Sequence, residues 1–193
     1  MGKKHELEVW IEAEVIDKSG KVIQRHRQKS RTWVRNWIVM LNRFMKNSGA
    51  SVTKQDGTGI SISYSIAIGT MLKVNAGAGI DTWGILVGSG TTPYSPDDYA
   101  LANKIPNGTG DGQLSYGATQ VFDVVDDGTS LSFKIVRTFS NEGSVNVTVN
   151  EVGLAVYANG YNILVARDVL SSSISVPAGS SLVIRYIVKL TYA

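Results

Sequence analysis

The chain has 193 residues, no cysteine and a formal net charge of +3, which is the length of one domain or of two small ones. A chain of this length buries about 70% of its unfolded surface, so it can hold a core without disulfides or metals. The lack of cysteine excludes zinc ribbons, iron–sulfur clusters and thiol catalysis, and 18% charged residues with 20 glycines favour an all-β protein over a helical bundle.

The positive charge is concentrated at the start of the sequence. Residues 1–46 contain 11 Lys or Arg and 5 Asp or Glu, a net charge of +6, whereas the remainder contains 8 basic and 11 acidic residues, a net charge of −3. This asymmetry indicates contact with nucleic acid or with a complementary surface on a neighbouring subunit. No apolar run reaches the ~18–20 residues of a transmembrane helix, so we expect no such segment.

The first 29 residues predict a β-hairpin. Residues 7–15 alternate between apolar and acidic side chains, residues 17–20 form a turn, and residues 21–28 return as a second strand. Three basic residues share one face of the returning strand: Arg25, Arg27 and Lys29. We expect them to pair across the hairpin with glutamates at about 0.2–1 kcal/mol each. The glutamates in position are Glu8, Glu12 and Glu14.

One amphipathic α-helix is predicted after the hairpin. Ser30 or Thr32 is its expected cap, and Gly49 its expected end. Four large apolar residues recur at helical spacing and should dock the helix on a core: Trp33, Trp37, Leu41 and Phe44. The hairpin and the helix make residues 1–50 an N-terminal unit, packed on or exchanged with a β-sandwich domain of residues 51–193.

From residue 58 onward the pattern is that of β-strands. Short apolar or alternating runs are separated by Gly, Asn and Asp clusters, with one long excursion at 89–112 that should contain a short helical turn near 96–103. The predicted strands are 60–68, 83–88, 114–125, 130–139, 145–157, 161–170 and 180–192. Their number and spacing predict an all-β fold, an antiparallel β-sandwich of the jelly-roll type.

A cross-strand ion pair is expected in this sandwich. The turn at 158–160 should bring the strands 149–157 and 161–170 into antiparallel contact. A turn that is symmetric about residue 159 places Glu151 directly opposite Arg167, and we predict that their side chains pair.

Few residues suggest catalysis. The sequence has no G-x-S-x-G elbow, phosphate-binding loop or H-E-x-x-H motif, and its two histidines are His5 and His26. Asp97-Asp98 and Asp126-Asp127 lack the spacing of a calcium-binding loop and are better explained as turn residues. We therefore expect no enzyme activity, no cofactor and no metal site.

The basic stretch has two interpretations. Its cations could contact phosphates, with Trp33 stacked on a base. The residues concerned are Arg25, Arg27, Lys29, Arg31 and Arg35. Alternatively, they form a solvated strand face paired with the glutamates of the hairpin, followed by a helix whose aromatic residues belong to the core. We favour this second interpretation.

Two stretches resemble virion structural proteins of tailed phages and archaeal viruses. Residues 83–93 read WGILVGSGTTP and residues 97–105 read DDYALANKI, close to a VGTGTT-P…D-x-ALxxxI segment that such proteins carry. A later series is similar to their R-x-F-x-N…E-x-GL…ARD…V-PAG order. It consists of VRTFSN at 136–141, VTVNEVGL at 147–154, LVARD at 164–168 and VPAGSSL at 176–182.

The resemblance implies a viral structural protein that self-assembles into the virion shell, as a capsid or capsid-associated subunit. Its expected partners are copies of itself and other virion proteins, with non-specific nucleic-acid contact through the basic N-terminal region. It would be made in the host cytoplasm and located in the virion. The alternatives are a tail, fibre or baseplate component and, in another class, a carbohydrate-binding or carbohydrate-active β-sandwich, for which Trp83, Tyr94, Tyr99 and Tyr116 are candidate platform residues.

Overall fold

The structure is a computed structural model that describes residues 6–45, 50–62 and 72–192, without the side chains of residues 43–45 and 50. The predicted strand residues 63–68 lie outside these ranges. The strands that follow the N-terminal region are β3 (Ala50–Thr53), β4 (Gly59–Ile62), β5 (Gly84–Gly88), β6 (Ser115–Tyr116), β7 (Gln120–Val121), β8 (Val125–Asp126), β9 (Ser130–Ser140), β10 (Val147–Ala158), β11 (Tyr161–Val176) and β12 (Ser181–Thr191). The N-terminal region itself contains β1 (Glu6–Ile16), β2 (Val22–Lys29) and the helix α1 (Arg35–Met45).

The strands form two antiparallel sheets and a small hairpin, which confirms the predicted all-β sandwich. The first sheet has seven strands in the order β2-β1-β12-β9, with β6, β7 and β8 each paired to the outer side of β9. The second has the order β11-β10-β5, and β3 pairs with β4. β9 pairs with β12 in one sheet while β10 and β11 form a hairpin in the other, so the chain crosses between the sheets after β9 and returns after β11.

The core lies between the inner faces of the two sheets. Alternate residues of β1, such as Ile11 and Val15, are fully buried against residues of β10 and β11, such as Val152 and Leu164, in one continuous cluster. The alternation visible in the sequence of β1 therefore does mark its buried face.

The N-terminal hairpin is part of the larger sheet. β1 pairs with β12 along its whole length, from Glu6 opposite Thr191 to Ile16 opposite Ser181. The sandwich thus includes residues on both sides of the boundary proposed at residue 50.

The helix region docks partly as predicted, because Trp33 and Trp37 are half-buried and pack against the core. α1 packs on β3 and β11, and its most buried side chains are Asn36 and Met40. Leu41 is 39% exposed, and the side chain of Phe44 lies outside the described part of the chain. Trp33 precedes the helix and forms a β-bridge with Ala166. Because Asn36 exchanges two hydrogen bonds with the backbone of Thr53 in β3, a polar residue takes a place that helical periodicity assigns to an apolar one.

Two further segments differ from the predictions. The strand predicted at 114–125 is three two-residue segments, because the backbone N–H of Thr119 donates to Ala76 instead of to β9. In the excursion, two separate turns at 96–97 and 102–103 stand where a short helical turn was predicted near 96–103.

Candidate interaction surface

The outer face of the hairpin carries the predicted ion pairs. Arg25 Nε lies 3.1 Å from a carboxylate oxygen of Glu14, and Arg27 Nε lies 3.0 Å from one of Glu12. Lys29 Nζ contacts Glu8 and lies 3.8 Å from Glu6. The two arginine side chains are largely solvated, at 73% and 57% exposure, whereas Lys29 and the glutamates are 18–39% exposed. Because one partner of each arginine pair is in water, each of these pairs contributes little to stability.

Trp10 lies among these charges. The Arg27 guanidinium carbon is 3.9 Å from the centre of its ring, and its indole nitrogen donates to Glu8 at 3.0 Å. The hydrogen bond from Arg25, followed by the effects of Arg185, lowers the pKa of Glu14 despite partial burial. The face is therefore a network of opposite charges.

The two remaining predicted basic residues differ from each other. Arg35 is paired with Asp97, its Nε lying 2.6 Å from the carboxylate, and this hydrogen bond lowers the pKa of Asp97. Arg31 is exposed, and no carboxylate of residues 6–45, 50–62 or 72–192 pairs with its guanidinium. Four of the five predicted phosphate contacts therefore have carboxylate partners, which favours a solvated, self-paired face over a nucleic-acid surface.

The inner side of β2 forms a seam with β11 that the sequence analysis missed. The Gln28 amide accepts a hydrogen bond from Ser171 N–H and donates one to Val169 O, at 2.9 and 3.2 Å. The Gln24 amide does the same with Ser175 N–H and Ser173 O, both at 3.0 Å. Each side-chain amide thus imitates one peptide group of a neighbouring strand, and together they cover the edge of β11.

Glu151 and Arg167 form the ion pair that the sequence predicts, with 2.7 Å between Arg167 Nε and Glu151 Oε2. Both side chains are buried, at 1% and 0% exposure. Arg167 also contacts Asp98 at 2.9 Å and the carbonyl oxygen of Thr92 at 2.9 Å. Although burial disfavours the charged guanidinium, its hydrogen bonds with Glu151 and Asp98 raise the pKa of Arg167.

Glu151 fastens the excursion to the sandwich. Its carboxylate accepts hydrogen bonds from the backbone N–H groups of Gly90, Ala102 and Asn103, at 3.1, 3.1 and 2.8 Å. A side chain on Gly88 or Gly90 would lie 2.5 Å from the Glu151 carboxylate, so the close approach requires glycine at both positions. Gly88 and Gly90, both in the stretch 83–93, thus leave room for the buried carboxylate of Glu151.

The predicted register of this hairpin is wrong. Glu151 lies opposite Val169, and Arg167 lies opposite Gly153. The turn pairs Ala158 with Tyr161, which already differs by one position from a turn symmetric about residue 159. The pairing then shifts again between Leu154 and Ala155, because an extra residue in one strand displaces all later partners. The two side chains still meet because diagonal neighbours on one face are within reach of long side chains.

Asp168 ties the segment before the helix to β11. Its carboxylate accepts hydrogen bonds from the hydroxyls of Ser30 and Thr32, both at 2.7 Å, and from Arg31 N–H at 3.2 Å. Ser30 and Thr32 are therefore not the caps of α1, which begins at Arg35. Burial raises the pKa of Asp168 in spite of these hydrogen bonds.

Arg137 is a second buried cation, at 1% exposure. Its guanidinium donates to five carbonyl oxygens, those of Gly77, Ile80, Trp83, Ile85 and Gly117. Burial lowers the pKa of Arg137 to about 10. The charged residues of the virion-like stretches are thus committed to contacts within the fold.

An apolar surface is exposed at the free edge of the larger sheet. Four of the five residues at 121–125 are large, apolar and about half or more exposed: Val121, Phe122, Val124 and Val125. β7 and β8 pair with β9 over two residues each. Such an edge offers both unpaired backbone groups and apolar contacts to another chain. We call residues 120–128 the open edge.

An apolar groove of about 750 Å³ lies at the end of the sandwich where β1 begins. Its walls come from both sheets and from the Trp33–Trp37 pair, whose ring centres are 5.1 Å apart. The apolar wall residues from the sheets are Leu7, Val9, Val121, Phe133, Ile135, Leu154, Val156, Val165 and Val188, and Val121 also belongs to the open edge. Its charged lining residues are Glu6, Glu8, Lys29 and Arg31. They lie where β1 begins and β2 ends, and we call this end of the groove its mouth.

The four aromatic candidates for sugar binding do not form one platform. Tyr116 is buried, Trp83 stacks on Tyr157 at 5.6 Å, and the Tyr94 hydroxyl donates to the carbonyl oxygen of Trp33. Tyr99 is exposed and packs beside Gly57.

Within residues 6–45, 50–62 and 72–192, no three His, Asp or Glu side chains cluster as metal ligands would. In the same part of the chain, no helix has the length and apolar character needed to cross a membrane. Comparisons of the chain with protein-family models, curated proteins and solved structures found no match.

Proposed function

We infer that the chain is a viral structural protein that assembles with copies of itself into the virion shell. The observation that carries this inference is the open edge, where four apolar side chains are exposed and where, within residues 6–45, 50–62 and 72–192, no strand pairs with the outer side of β7 or β8. The order of the virion-like stretches supports it, because their charged residues stabilise the subunit internally and leave its surface for assembly.

The charges favour one mode of self-association. The open edge has Asp123, Asp126 and Asp127 and no cation, so two copies of this edge would repel each other. β2, at the opposite edge of the same sheet, has the exposed apolar Ile23 and two arginines, Arg25 and Arg27, that are mostly exposed although each also contacts a glutamate of β1. We therefore expect the open edge of one copy to meet β2 of the next. Such head-to-tail contacts generate rings or continuous arrays.

Sedimentation velocity of the full chain over a wide concentration range tests this assembly. We expect concentration-dependent association that weakens as the salt concentration rises, because the contact joins opposite charges. Phe122→Ser should weaken association at least tenfold. The matched control is Ile38→Ser, which removes an apolar side chain that is 60% exposed on α1 and should leave association within twofold of wild type.

Two results would contradict the proposal. One is a monomer at millimolar concentration in both low and high salt, and the other is equal weakening by the two substitutions. Copy number in purified particles then separates the roles: hundreds of copies indicate a shell subunit, whereas a few copies indicate a tail, fibre or baseplate component.

A further inference from the structure

We propose that the apolar groove binds a single-chain amphiphile with an anionic head group, such as a monomeric fatty acid. The acyl chain would lie between the sheets, and the head group would contact Arg31 at the mouth. The groove adjoins the open edge at Val121, but the two proposals are tested with different variants, so one can fail without the other.

The size and lining of the groove fit an acyl chain. A volume of about 750 Å³ lies within the range of about 300–1,000 Å³ that small-molecule pockets span. Side chains from β1, β9 and β12 form one wall, and side chains from β10 and β11 form the other. A chain inserted between them would bury apolar surface at roughly 25 cal/mol per Å².

The polar groups of the groove are confined to its mouth. Glu6, Glu8, Lys29, Ser30 and Arg31 line that region, and the remaining lining residues are apolar. This separation matches a ligand that has one charged end and one apolar end. It does not match a sugar or a nucleotide, whose polar groups are distributed over the whole molecule.

The charges at the mouth favour an anionic end. Lys29 forms ion pairs with both glutamates. Its Nζ lies 3.8 Å from a carboxylate oxygen of Glu6 and closer to one of Glu8. The hydroxyl of Ser30 is engaged by Asp168. Arg31 is exposed, and its guanidinium has no carboxylate partner in the described part of the chain. A carboxylate head group would supply that partner in a bidentate, charge-assisted contact.

The position of Arg31 is fixed by its backbone. Its N–H group donates to Asp168, and the residues on both sides of it donate their hydroxyls to the same carboxylate. The backbone of Arg31 is therefore anchored beside the mouth, and only its side chain loses conformational entropy when a ligand binds.

Isothermal titration of the full chain with dodecanoate, kept below its critical micelle concentration, tests the proposal. We expect saturable binding of one molecule per chain, accompanied by a change in tryptophan fluorescence from Trp33 and Trp37. Arg31→Gln should weaken binding fivefold to tenfold, whereas Arg25→Gln, which removes an equal charge outside the groove, should change it less than twofold. Dodecyltrimethylammonium, with the same chain and a cationic head group, should bind at least fivefold more weakly than dodecanoate.

A second variant tests the apolar part of the site. Val9→Phe places a larger side chain in the groove and should weaken dodecanoate binding more than tenfold. Its control is Ile23→Phe, at an exposed position of β2 outside the groove lining. If Val9→Phe does not fold, the comparison of Arg31→Gln with Arg25→Gln decides the question.

The proposal is overturned by any of three results. These are the absence of saturable dodecanoate binding, equal affinity for the anionic and cationic amphiphiles, and unchanged affinity in Arg31→Gln. Binding to anionic vesicles without binding of monomeric dodecanoate would also overturn it. A second copy would be the occupant instead if Val9→Phe abolished self-association while dodecanoate failed to bind wild type.

Discussion

The buried pair Glu151–Arg167 and the hairpin pair Glu12–Arg27 have similar geometry and very different surroundings. The nitrogen–oxygen distances are 2.7 and 3.0 Å. The side chains of the first pair are at most 1% exposed, whereas those of the second are 33% and 57% exposed. Water screens the exposed pair, so this pair adds little to stability. Water is excluded from the buried pair, so its contribution to stability depends on how many partners each charge has inside the protein.

The largest loss of stability is predicted for substitution of Glu151. Glu151→Ala leaves the Arg167 guanidinium with one carboxylate and removes the acceptor of three backbone N–H groups. We expect unfolding free energy to fall by about 3–5 kcal/mol, as when one member of a buried pair is removed. Urea denaturation measures this, with Glu12→Ala as the exposed control. Equal losses of unfolding free energy in the two variants would show that burial does not decide how much each pair contributes.

Substitution of Asp168 should give the next largest loss of stability, and this loss should depend on pH. Asp168→Ala removes the acceptor for Ser30, Thr32 and Arg31 N–H, at a cost of about 1–3 kcal/mol. Because the pKa of Asp168 is raised in the folded protein, the folded state binds more protons than the unfolded state above the ordinary aspartate pKa. Wild-type stability should then fall as pH rises through that window.

The difference between wild type and Asp168→Ala should therefore be largest at low pH and shrink as pH rises toward the folded-state pKa. Urea denaturation of both proteins from pH 3.5 to pH 7 measures it. A difference that grows with pH would show that the carboxyl is more acidic in the folded state than burial implies.

The seam should have an intermediate effect. Gln28→Ala removes two hydrogen bonds to the edge of β11, and we expect a loss of about 1 kcal/mol in unfolding free energy. Gln120→Ala, at an exposed position of the open edge, serves as the control and should be neutral within about 0.5 kcal/mol. If both variants match wild type, the amides do not protect the strand edge.

The smallest effect is expected on the outer face. Glu14→Gln weakens the contacts with Arg25 and Arg185, which should cost about 0.5 kcal/mol and vanish in 1 M salt. Because the pKa of Glu14 is lowered in the folded protein, its contribution is present at neutral pH and is lost as pH falls through that pKa. Chemical denaturation from pH 7 to pH 3 checks this, with the exposed Glu142→Gln as control. The sign is opposite to that expected for Asp168.

Local patterns predicted the parts of the structure that depend on neighbours in sequence. The alternation of β1 and β2 placed the acidic and basic residues of the hairpin on one face, and the turn near residue 159 brought Glu151 close to Arg167. The exact partners could not be predicted, because an extra residue in one strand shifts the register without changing its polarity pattern.

The contacts between distant segments were not predictable. Asp168 meets Ser30 across 138 positions, and Gln28 meets Ser171 across 143. Nothing in either local sequence identifies the other partner. The polar residues Gln24, His26 and Gln28 on the inner side of β2 were a signal, because polar side chains on a buried strand face require partners. The groove has no local signal, because its lining comes from seven strands and from the segments around Trp33 and Val74.

The seam also determines how the sandwich opens. Two backbone ladders separate only when a whole strand detaches, whereas Gln24 and Gln28 can each release β11 by side-chain rotation, which takes picoseconds to nanoseconds when the group is solvated. The hairpin keeps its pairing with β12 during such an event. The contacts between β2 and β11 can therefore open one side chain at a time. The amide hydrogens of Ser171 and Ser175 should exchange with solvent before those in the centre of the neighbouring sheet.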